Sequence, residues 1–274
     1  MAPTRLTPFT LVAAIAAALL TGALALPVVA LVLRSEPGAL LGRMAQPGVL
    51  EALRLSLITS VAATALVVVL GTPLAWLLAS RAFPGRRAVE VLVQLPMVLP
   101  PTVAGVALLL AFGRMGIAGR AFALAGLTLP FTTLGVVVAQ AFMAAPFYVL
   151  AARAGFASVD RRLIEAARAA RADEGHAFRR IVLPLAAPTL AAGMAMTLAR
   201  ALGEFGATIT FAGNLPGVTR TLPLAVYLAL QTDLDAAITL SVLLLVMSVA
   251  LLVALRALPV SWPGGPGAPG PARH

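Results

Sequence analysis

The sequence is poor in charge and contains neither cysteine nor lysine. Charged residues make up 11% of its 274 residues and hydrophobic residues 61%, whereas soluble globular proteins carry about a quarter and about half. A water-soluble surface cannot be built from so few charges. We therefore expect a membrane protein rather than a soluble enzyme or a disordered chain.

The absence of lysine and cysteine excludes several kinds of binding and catalytic site. All 20 basic residues are arginine, so the chain has no GxxxxGK[ST] loop, whose lysine contacts nucleotide phosphates. If ATP is used, another subunit must supply the site. Without cysteine there is no disulfide framework, thiolate metal site or cysteine nucleophile, and His176 and His274 form no metal pattern. We expect no catalytic residue, cofactor or metal in this chain.

Long uncharged stretches are the main positive feature of the sequence. Crossing a bilayer takes about 20 apolar residues, and six stretches without Asp, Glu or Arg come close to this length or exceed it: Leu6–Leu33, Leu55–Ser80, Val91–Gly113, Ala121–Ala152, Ile181–Ala199 and Ala236–Leu255. Backbone groups in lipid must bond internally, and the alternation of a membrane barrel is absent. The sequence predicts an all-α integral membrane protein with six transmembrane helices.

The first stretch has a second possible reading. It follows Arg5 and contains Ala23-Leu24-Ala25, as a cleaved signal peptide would. Its apolar run continues to Leu33, well beyond the roughly 7–15 residues of a signal sequence core. We favour an uncleaved span.

The arginines predict the orientation. With the N-terminus inside, six spans leave seven arginines outside and thirteen inside; the outer ones are Arg34, Arg43, Arg54, Arg114, Arg120, Arg200 and Arg220. Basic residues accumulate on the cytoplasmic side of membrane proteins, so both termini are expected in the cytoplasm. The net charge of +10 then reflects topology, and no nucleic-acid partner is expected.

Three regions follow from this pattern. Residues 1–50 hold the first helix and an outer loop, residues 51–258 form the main transmembrane domain, and residues 259–274, rich in Pro and Gly, are expected to be a disordered tail. Within the main domain, residues 203–235 are expected on the outer side, and the loop 155–184 on the inner side.

The inner loop concentrates charge. Ten of the chain's thirty charged residues lie between Gly155 and Arg180. Arg161 and Arg168 stand four residues before and three residues after Glu165, a spacing that supports a helix with weak ion pairs. A solvated helix is the simple interpretation, but Ala166, Ala167 and Ala170 leave a small-residue surface suited to docking another protein.

The same loop carries a family resemblance. Glu165-Ala166-Ala167, followed by Leu183-Pro184, resembles the EAA motif of permease subunits in ATP-binding-cassette importers. The resemblance implies a type I importer fold whose cytoplasmic coupling helices dock on a partner ATPase. The family usually has Gly where this chain has Arg171, and Gly can adopt positive φ cheaply. We expect Gly175 to supply the bend instead, with Asp173 capping the next helix.

Further stretches resemble the molybdate permeases and their tungstate and sulfate relatives. They are Gln94–Gly105 with Pro96, Pro100, Pro101 and Thr102, then Arg200–Thr208 with Gly203, Glu204 and Gly206, and finally Phe211–Tyr227. Together with the inner loop, the resemblance covers roughly Leu50 to Leu255. It implies molybdate import driven by ATP hydrolysis on a partner.

The residues of these stretches also have a physical reading. Prolines inside an apolar span break the helix and leave backbone groups without partners. Such groups occur at membrane depth only where neighbouring protein or a water-filled pathway bonds them, so the break indicates a pathway lining; a simple kink in a packed bundle is the alternative. Arg200 and Glu204 share a helix face near the outer end of span five and, as intramembrane charges, indicate a gate, unless they form only a structural ion pair. Gly203 and Gly206 permit close helix approach.

Hydroxyl groups supply the expected contacts to the anion. Strong arginine sites would trap a dianion, so weaker donors suit a pathway better. Thr102, Thr208 and Thr210 are the candidates, although membrane threonines often bond their own backbone.

The resemblance implies a multi-pass subunit of a bacterial plasma (inner) membrane. Its expected partners are a second copy of the chain, an ATPase dimer that holds ATP and magnesium, and a periplasmic or extracellular substrate-binding protein. The alternatives are a sulfate, thiosulfate or tungstate permease, or a membrane scaffold that transports nothing. An intramembrane hydrolase is disfavoured because no uncharged stretch contains His and neither HExxH nor GxSxG occurs.

Overall fold

The computed structural model describes residues 7–35 and 46–257, together with Gly38 and Gly42 between them, and this part of the chain is helical without strands. Its first helices are α1 (Pro8–Leu33), α2 (Pro47–Ser80), α3 (Arg86–Val98), α4 (Pro101–Phe112), α5 (Gly119–Leu124) and α6 (Thr133–Ala157). Then come α7 (Arg161–Ala169), α8 (Glu174–Ala177), a π-helical turn (Phe178–Val182), α9 (Leu183–Leu202), α10 (Gly206–Ala212), α11 (Leu222–Leu230) and α12 (Leu234–Ala257).

Five helices within the described residues are long and apolar enough to cross a membrane. They are α1, α2, α6, α12 and the continuous run from α8 through α9. The predicted third span is absent from this set because the chain leaves the helical conformation at Leu99 and Pro100, which divides it into α3 and α4. Proline lacks the backbone donor that would continue the helix, so the predicted break at Pro100 and Pro101 is confirmed.

A sixth crossing is nevertheless required by the way the helices pack. Gly71 of α2 lies beside Tyr148 of α6, and further along both helices Trp76 meets Phe156 with ring centroids 5.7 Å apart. The two helices therefore run parallel. Two parallel spans need a return crossing between them, and only α3, α4 and α5 lie there in the chain.

The helices α3 and α4 make this return. Glu90 at the start of α3 pairs with Arg153 near the end of α6, with Nη2 and Oε1 3.1 Å apart. Further along, Ala104 and Leu108 of α4 pack in one cluster with Ala139, near the start of α6. The pair thus runs opposite to α6. We call the end of the bundle that contains Glu90 and Arg153 the charged end.

Glu90 joins α3 to α6 at the charged end. Its Oε1 also accepts a hydrogen bond from Nε of Arg86 at 2.8 Å. This bond is the main reason that the pKa of the Glu90 carboxyl lies below its ordinary value, and the charge of Arg153 adds to it, while partial burial opposes both.

Two boundaries differ from the sequence expectation. The predicted fourth span began at Ala121, but the membrane-length helix begins only at Thr133, after the short α5 and a turn. The segment 203–235, expected on the outer side, begins inside the bundle: Ala207 and Phe211 of α10 are buried against α4 and α6. The apolar residues of α10 are used for packing against neighbours, whereas α5 is only six residues long and mostly exposed. Hydropathy distinguishes neither segment from a span.

The main core lies between α2, α6 and α9 and combines alanines with larger side chains such as Tyr148 and Phe156. A Cβ atom added to Gly193 would lie 2.7 Å from Cβ of Ala151, so α9 and α6 approach more closely than any larger residue allows. Close approach through small residues is typical of membrane helices. The predicted disordered tail, 259–274, lies outside the described residues, and the boundaries at residues 50 and 258 stay predictions.

Candidate functional site

The EAA motif lies on a short exposed helix at the charged end. In α7 the N-cap Asp160 accepts a hydrogen bond from the backbone N–H of Arg162 at 2.9 Å, the standard way to satisfy a free helix-end donor. Glu165 and Ala166 are exposed and Ala167 is half-buried. The motif therefore presents a carboxylate and small side chains to the surroundings, as docking requires.

Arg171 itself makes the turn that ends α7. Its φ is +60°, and the backbone N–H groups of Arg171 and Ala172 donate to the carbonyls of Arg168 at 2.9 Å and Ala167 at 3.0 Å. These two bonds are the Schellman arrangement, in which the left-handed position usually holds Gly. The expectation that Gly175 supplies the bend is wrong, because Gly175 is in the helix α8 and is not among the glycines with positive φ.

The remaining coupling residues lie along the path back into the membrane. Asp173 accepts a hydrogen bond from N–H of His176 at 2.6 Å, which confirms it as the cap of α8. The π-helical turn follows, and Leu183 and Pro184 then form the first turn of α9, with Leu183 half-buried and Pro184 exposed. We call residues 160–182 the docking segment; α9 continues it without a break.

Aromatic contacts and an ion pair join the docking segment to α2 and α6. Phe178 lies 5.1 Å from Trp76 and 5.6 Å from Phe156, measured between ring centroids. Beside this cluster, Arg81 at the end of α2 forms an ion pair with Glu174, with Nη2 and Oε2 2.7 Å apart. Sequence reasoning missed these contacts because each joins different helices, and the contacts of Phe178 with Trp76 and of Arg81 with Glu174 join residues about a hundred positions apart.

A cavity of about 290 Å³ separates α7, which we call the docking helix, from the ends of α2 and α6. Its lining includes Trp76, Arg81, Phe156, Ile164 and Glu165. The side of α7 that carries Ile164 faces this space and the core cluster beyond it. Glu165 stands at the edge of this space, since it lines the cavity and is also exposed, and the opposite side of α7, with Ala166, is left free for a partner.

The proline break and the glycine segment after α9 form a second site, the break region (Pro100–Thr102 and Arg200–Thr208). A Cβ atom added to Gly206 would lie 2.6 Å from Cβ of Pro101 and 3.3 Å from the backbone nitrogen of Thr102. The structure therefore brings together two motifs that are a hundred residues apart. Only Gly at position 206 allows this contact.

Gly203 has a different environment. It is exposed at the end of α9, and an added Cβ atom would meet only the carbonyl oxygen of Ala199 at 3.7 Å, an ordinary contact. Of these two glycines, only Gly206 is needed for the close approach of α10 to the break at Pro101.

Glu204 is the most deeply buried carboxylate of the described residues, with 1% of its surface exposed. Its Oε2 lies 2.6 Å from Nη2 of Arg200, so the two charges form the ion pair that the sequence allowed as the alternative to a gate. Its Oε1 accepts from the backbone N–H of Ala207 at 2.8 Å. Glu204 thus neutralises Arg200 and caps α10 in one conformation. The pair lies at the end of α9, as the sequence suggested, and the chain that follows it meets the break in the third crossing at Pro101.

The threonine donors behave differently from one another. Thr210 donates to the carbonyl of Gly206 at 2.9 Å, and so bonds its own backbone. Thr102 is exposed at the start of α4. Thr208 is fully buried and its hydroxyl has no hydrogen-bond partner. Thr102 and Thr208 thus keep free hydrogen-bonding capacity near the break.

Gln140 of α6 was not found from the sequence. It is fully buried in the bundle, and neither its amide nitrogen nor its amide oxygen has a partner. Its neighbour in the chain, Ala139, packs with Ala207, so Gln140 lies at the depth of the break region. A scan for amides within the uncharged stretches, and not only for charges, would have singled it out.

The two sites are separate. The helix α9, of 20 residues, spans about 30 Å at 1.5 Å per residue, with the docking segment at its start and Arg200 near its end. Among the residues described, no group of three or more His, Asp or Glu side chains could hold a metal ion. The helix α9 connects the two sites.

Comparison with known proteins agrees with this arrangement. The chain is 42% identical over 235 residues to the molybdenum transport system permease protein ModB of Mycobacterium bovis, covering 85% of this chain and 88% of that protein. It is 43% identical over 183 residues to ModB of Escherichia coli K12, covering 66% and 80%.

A solved structure shows the same fold. A bacterial ABC transporter involved in the import of alginate aligns with a TM-score of 0.73 over 90% of this chain and 94% of that chain, at 16% identity. Residues 68–258 match the family of binding-protein-dependent transport system inner membrane components. The chain belongs to this family and is a multi-pass membrane permease of the ATP-binding-cassette importer type.

Proposed function

We propose that this chain is the membrane-spanning permease of a molybdate importer. The observation that carries the proposal is the 42% identity to a molybdenum transport permease over 85% of the chain. A tetrahedral oxyanion would pass through the membrane along the subunit, and this chain would form and break no covalent bond.

In the proposed assembly two copies of the chain form the pathway. Two ATPase subunits, which hold ATP and magnesium, dock at the charged end, and a substrate-binding protein delivers the anion at the opposite end. The charged end then faces the cytoplasm of a bacterium, with both termini on that side of the plasma membrane. The excess of arginine on that side supports this orientation.

The chain's own contribution is to convert movement of the docking segment into opening at the break region. Exposed Glu165 and Ala166 meet the ATPase. Movement applied there passes through α8 and the π-helical turn into α9 without a break in the helix. At the far end of α9, the Arg200–Glu204 pair is followed by Gly206, at the start of α10, which lies against Pro101, so a shift of α9 changes that contact.

Weak donors suit the passing of a dianion. Arg200 is already neutralised by Glu204, so it offers no free positive charge that would trap the substrate. Hydroxyl groups such as those of Thr102 and Thr208 bind an oxyanion more weakly than a guanidinium does. The break region is therefore proposed as a gate that releases its cargo.

Uptake by the whole complex tests the proposal. Vesicles containing permease, ATPase and binding protein, with ATP supplied to the ATPase side, should accumulate radiolabelled molybdate. Excess unlabelled tungstate should compete, because it has the same charge and shape. Strong competition by sulfate with none by tungstate would overturn the assignment in favour of a sulfate or thiosulfate permease, and a lack of ATP-dependent uptake would favour a scaffold.

The coupling role is tested at Glu165. Glu165→Lys reverses the charge that the docking helix presents, so we expect uptake to be lost and the ATPase to be released or uncoupled. Glu51→Lys, the same change at an exposed site near the start of α2 and far from the docking segment, is the control. Normal uptake by Glu165→Lys would contradict the coupling role.

A further inference from the structure

The docking segment touches the end of α2 at two points on one helical face. Glu174 and Phe178 are four residues apart, and residues at this spacing share a face of a helix. Phe178 meets Trp76, with ring centroids 5.1 Å apart, and Glu174 meets Arg81. The stretch from Glu174 to Phe178 therefore lies alongside the last turn of α2, running in the opposite direction.

The two contacts differ in character. The ring contact is part of the packed core of α2, α6 and the π-helical turn. The ionic contact is at the surface: the side chains of Arg81 and Glu174 are 55% and 44% exposed. Both carboxylate oxygens of Glu174 accept from Nη2 of Arg81, at 2.8 and 2.7 Å, which constrains the angle of the carboxylate more than a single bond would.

Glu174 also faces the docking helix. Nη2 of Arg168 in α7 lies 3.8 Å from its Oε1. One carboxylate thus stands between a cation at the end of a span and a cation on the docking helix. Without it, Arg81, Arg161 and Arg168 would line the same cavity with Glu165 as the one remaining acid among the residues that line it, and their mutual repulsion would move α7 away from α2.

We infer that Glu174 is a positioning residue: its ion pairs with Arg81 and Arg168 set the position of the docking helix relative to α2, so that movement of the docking helix is transmitted to the spans. The inference rests on the proposed transport function. Glu174 contacts neither the substrate nor a nucleotide, and it acts through Arg81 and Arg168. The ring cluster keeps the segment attached, and the ion pair controls its angle.

Transport per ATP is the first measurement. In vesicles with the whole complex, Glu174→Gln should keep ATP hydrolysis but lower the amount of anion transported per ATP by about two- to fivefold, the effect of one partly exposed ion pair. Arg81→Gln should act in the same way, and the two changes together should cost no more than either one. Glu51→Gln, an acid removed far from the segment, is the matched control.

Charge exchange separates positioning from simple destabilisation. Arg81→Glu combined with Glu174→Arg restores an ion pair between the same positions and should return most of the lost coupling, although Arg168 then faces a cation. A transport-per-ATP ratio at the wild-type level in both single variants would overturn the inference. So would an exchanged pair that couples no better than the single variants.

A distance measurement tests the inference without relying on the substrate. Because the chain has no cysteine, Ser80→Cys and Ala170→Cys, both at exposed positions, can carry a pair of spin labels in the assembled complex. Glu174→Gln should broaden the distribution of distances between the labels, and Glu51→Gln should leave it unchanged. An unchanged distribution in Glu174→Gln would refute the inference even if molybdate uptake is confirmed; absent uptake with a broadened distribution would refute only the proposed function.

Discussion

Gly206→Ala should destabilise the break region, and Gly203→Ala should not. The added methyl group at position 206 would lie 2.6 Å from Cβ of Pro101, while the one at position 203 would meet only a carbonyl oxygen at 3.7 Å. Carbon atoms prefer separations of about 3.5–4.0 Å. The helix α10 must therefore move by about 1 Å, and neither Gly206 nor Pro101 has a flexible side chain that could yield instead.

The size of the effect follows from the cost of overpacking, about 1–3 kcal/mol for an added methyl group in a packed core. For a chain of this length each kcal/mol lowers the melting temperature by about 2–4 °C, so we expect a fall of about 2–12 °C for Gly206→Ala. Thermal unfolding of the purified permease in detergent, compared with Gly203→Ala, measures it. Equal melting temperatures for the two variants would refute the close contact between α10 and the break.

Three further changes have defined directions. Arg171→Gly removes a non-glycine residue from the left-handed conformation, so it should stabilise the end of α7 by up to about 1 kcal/mol. Hydrogen exchange measures this as higher protection of residues 161–172. Arg171→Ala, which keeps a Cβ atom, should not raise the protection. Gln140→Leu removes an unpaired buried amide and should raise the melting temperature by the equivalent of about 1–3 kcal/mol, whereas Gln140→Asn, which keeps the amide and opens a cavity, should lower it. The pKa of Glu90 lies below its ordinary value of 4.5 because of the hydrogen bond from Arg86. The ionised Glu90 carboxylate therefore stabilises the fold fully above pH 4.5, and this stabilisation is lost as the pH falls through the lowered pKa. The difference in melting temperature between wild type and Glu90→Gln should disappear at the acid end of a pH series.

Much of the fold could be predicted because the bilayer imposes simple rules. Long uncharged stretches identified five membrane-length helices, and the prolines at 100 and 101 located the break in the remaining crossing. The boundaries at Ala121 and Gly203 were wrong for one reason. An apolar residue lowers the free energy equally well against lipid or against another helix, so hydropathy does not separate α5 and α10 from spanning segments.

Some contacts of the candidate sites could be predicted from the sequence and others could not. Contacts within one helical turn were accessible from the sequence: Arg200 with Glu204, and Asp173 with the start of α8. The turn at Arg171 could not be predicted from the sequence. A non-glycine residue in the left-handed conformation costs about 1–2 kcal/mol, and packing elsewhere in the fold can offset that cost. Contacts such as Phe178 with Trp76 depend on how the helices are arranged, which no local pattern contains.

One bond across the bundle has a consequence for the order of assembly. The backbone N–H of Leu222, at the start of α11, donates to the hydroxyl of Ser56 in α2 at 2.6 Å, and these residues are 166 positions apart. At a synthesis rate of about 5–20 residues per second, Ser56 leaves the ribosome roughly 8–33 s before Leu222. During that interval the hydroxyl can bond only within α2, and the partner helix does not yet exist. The buried end of α2 is therefore completed after nearly all of the chain has been made, and a newly inserted permease passes through a stage in which its first spans are in the membrane but its bundle is still open.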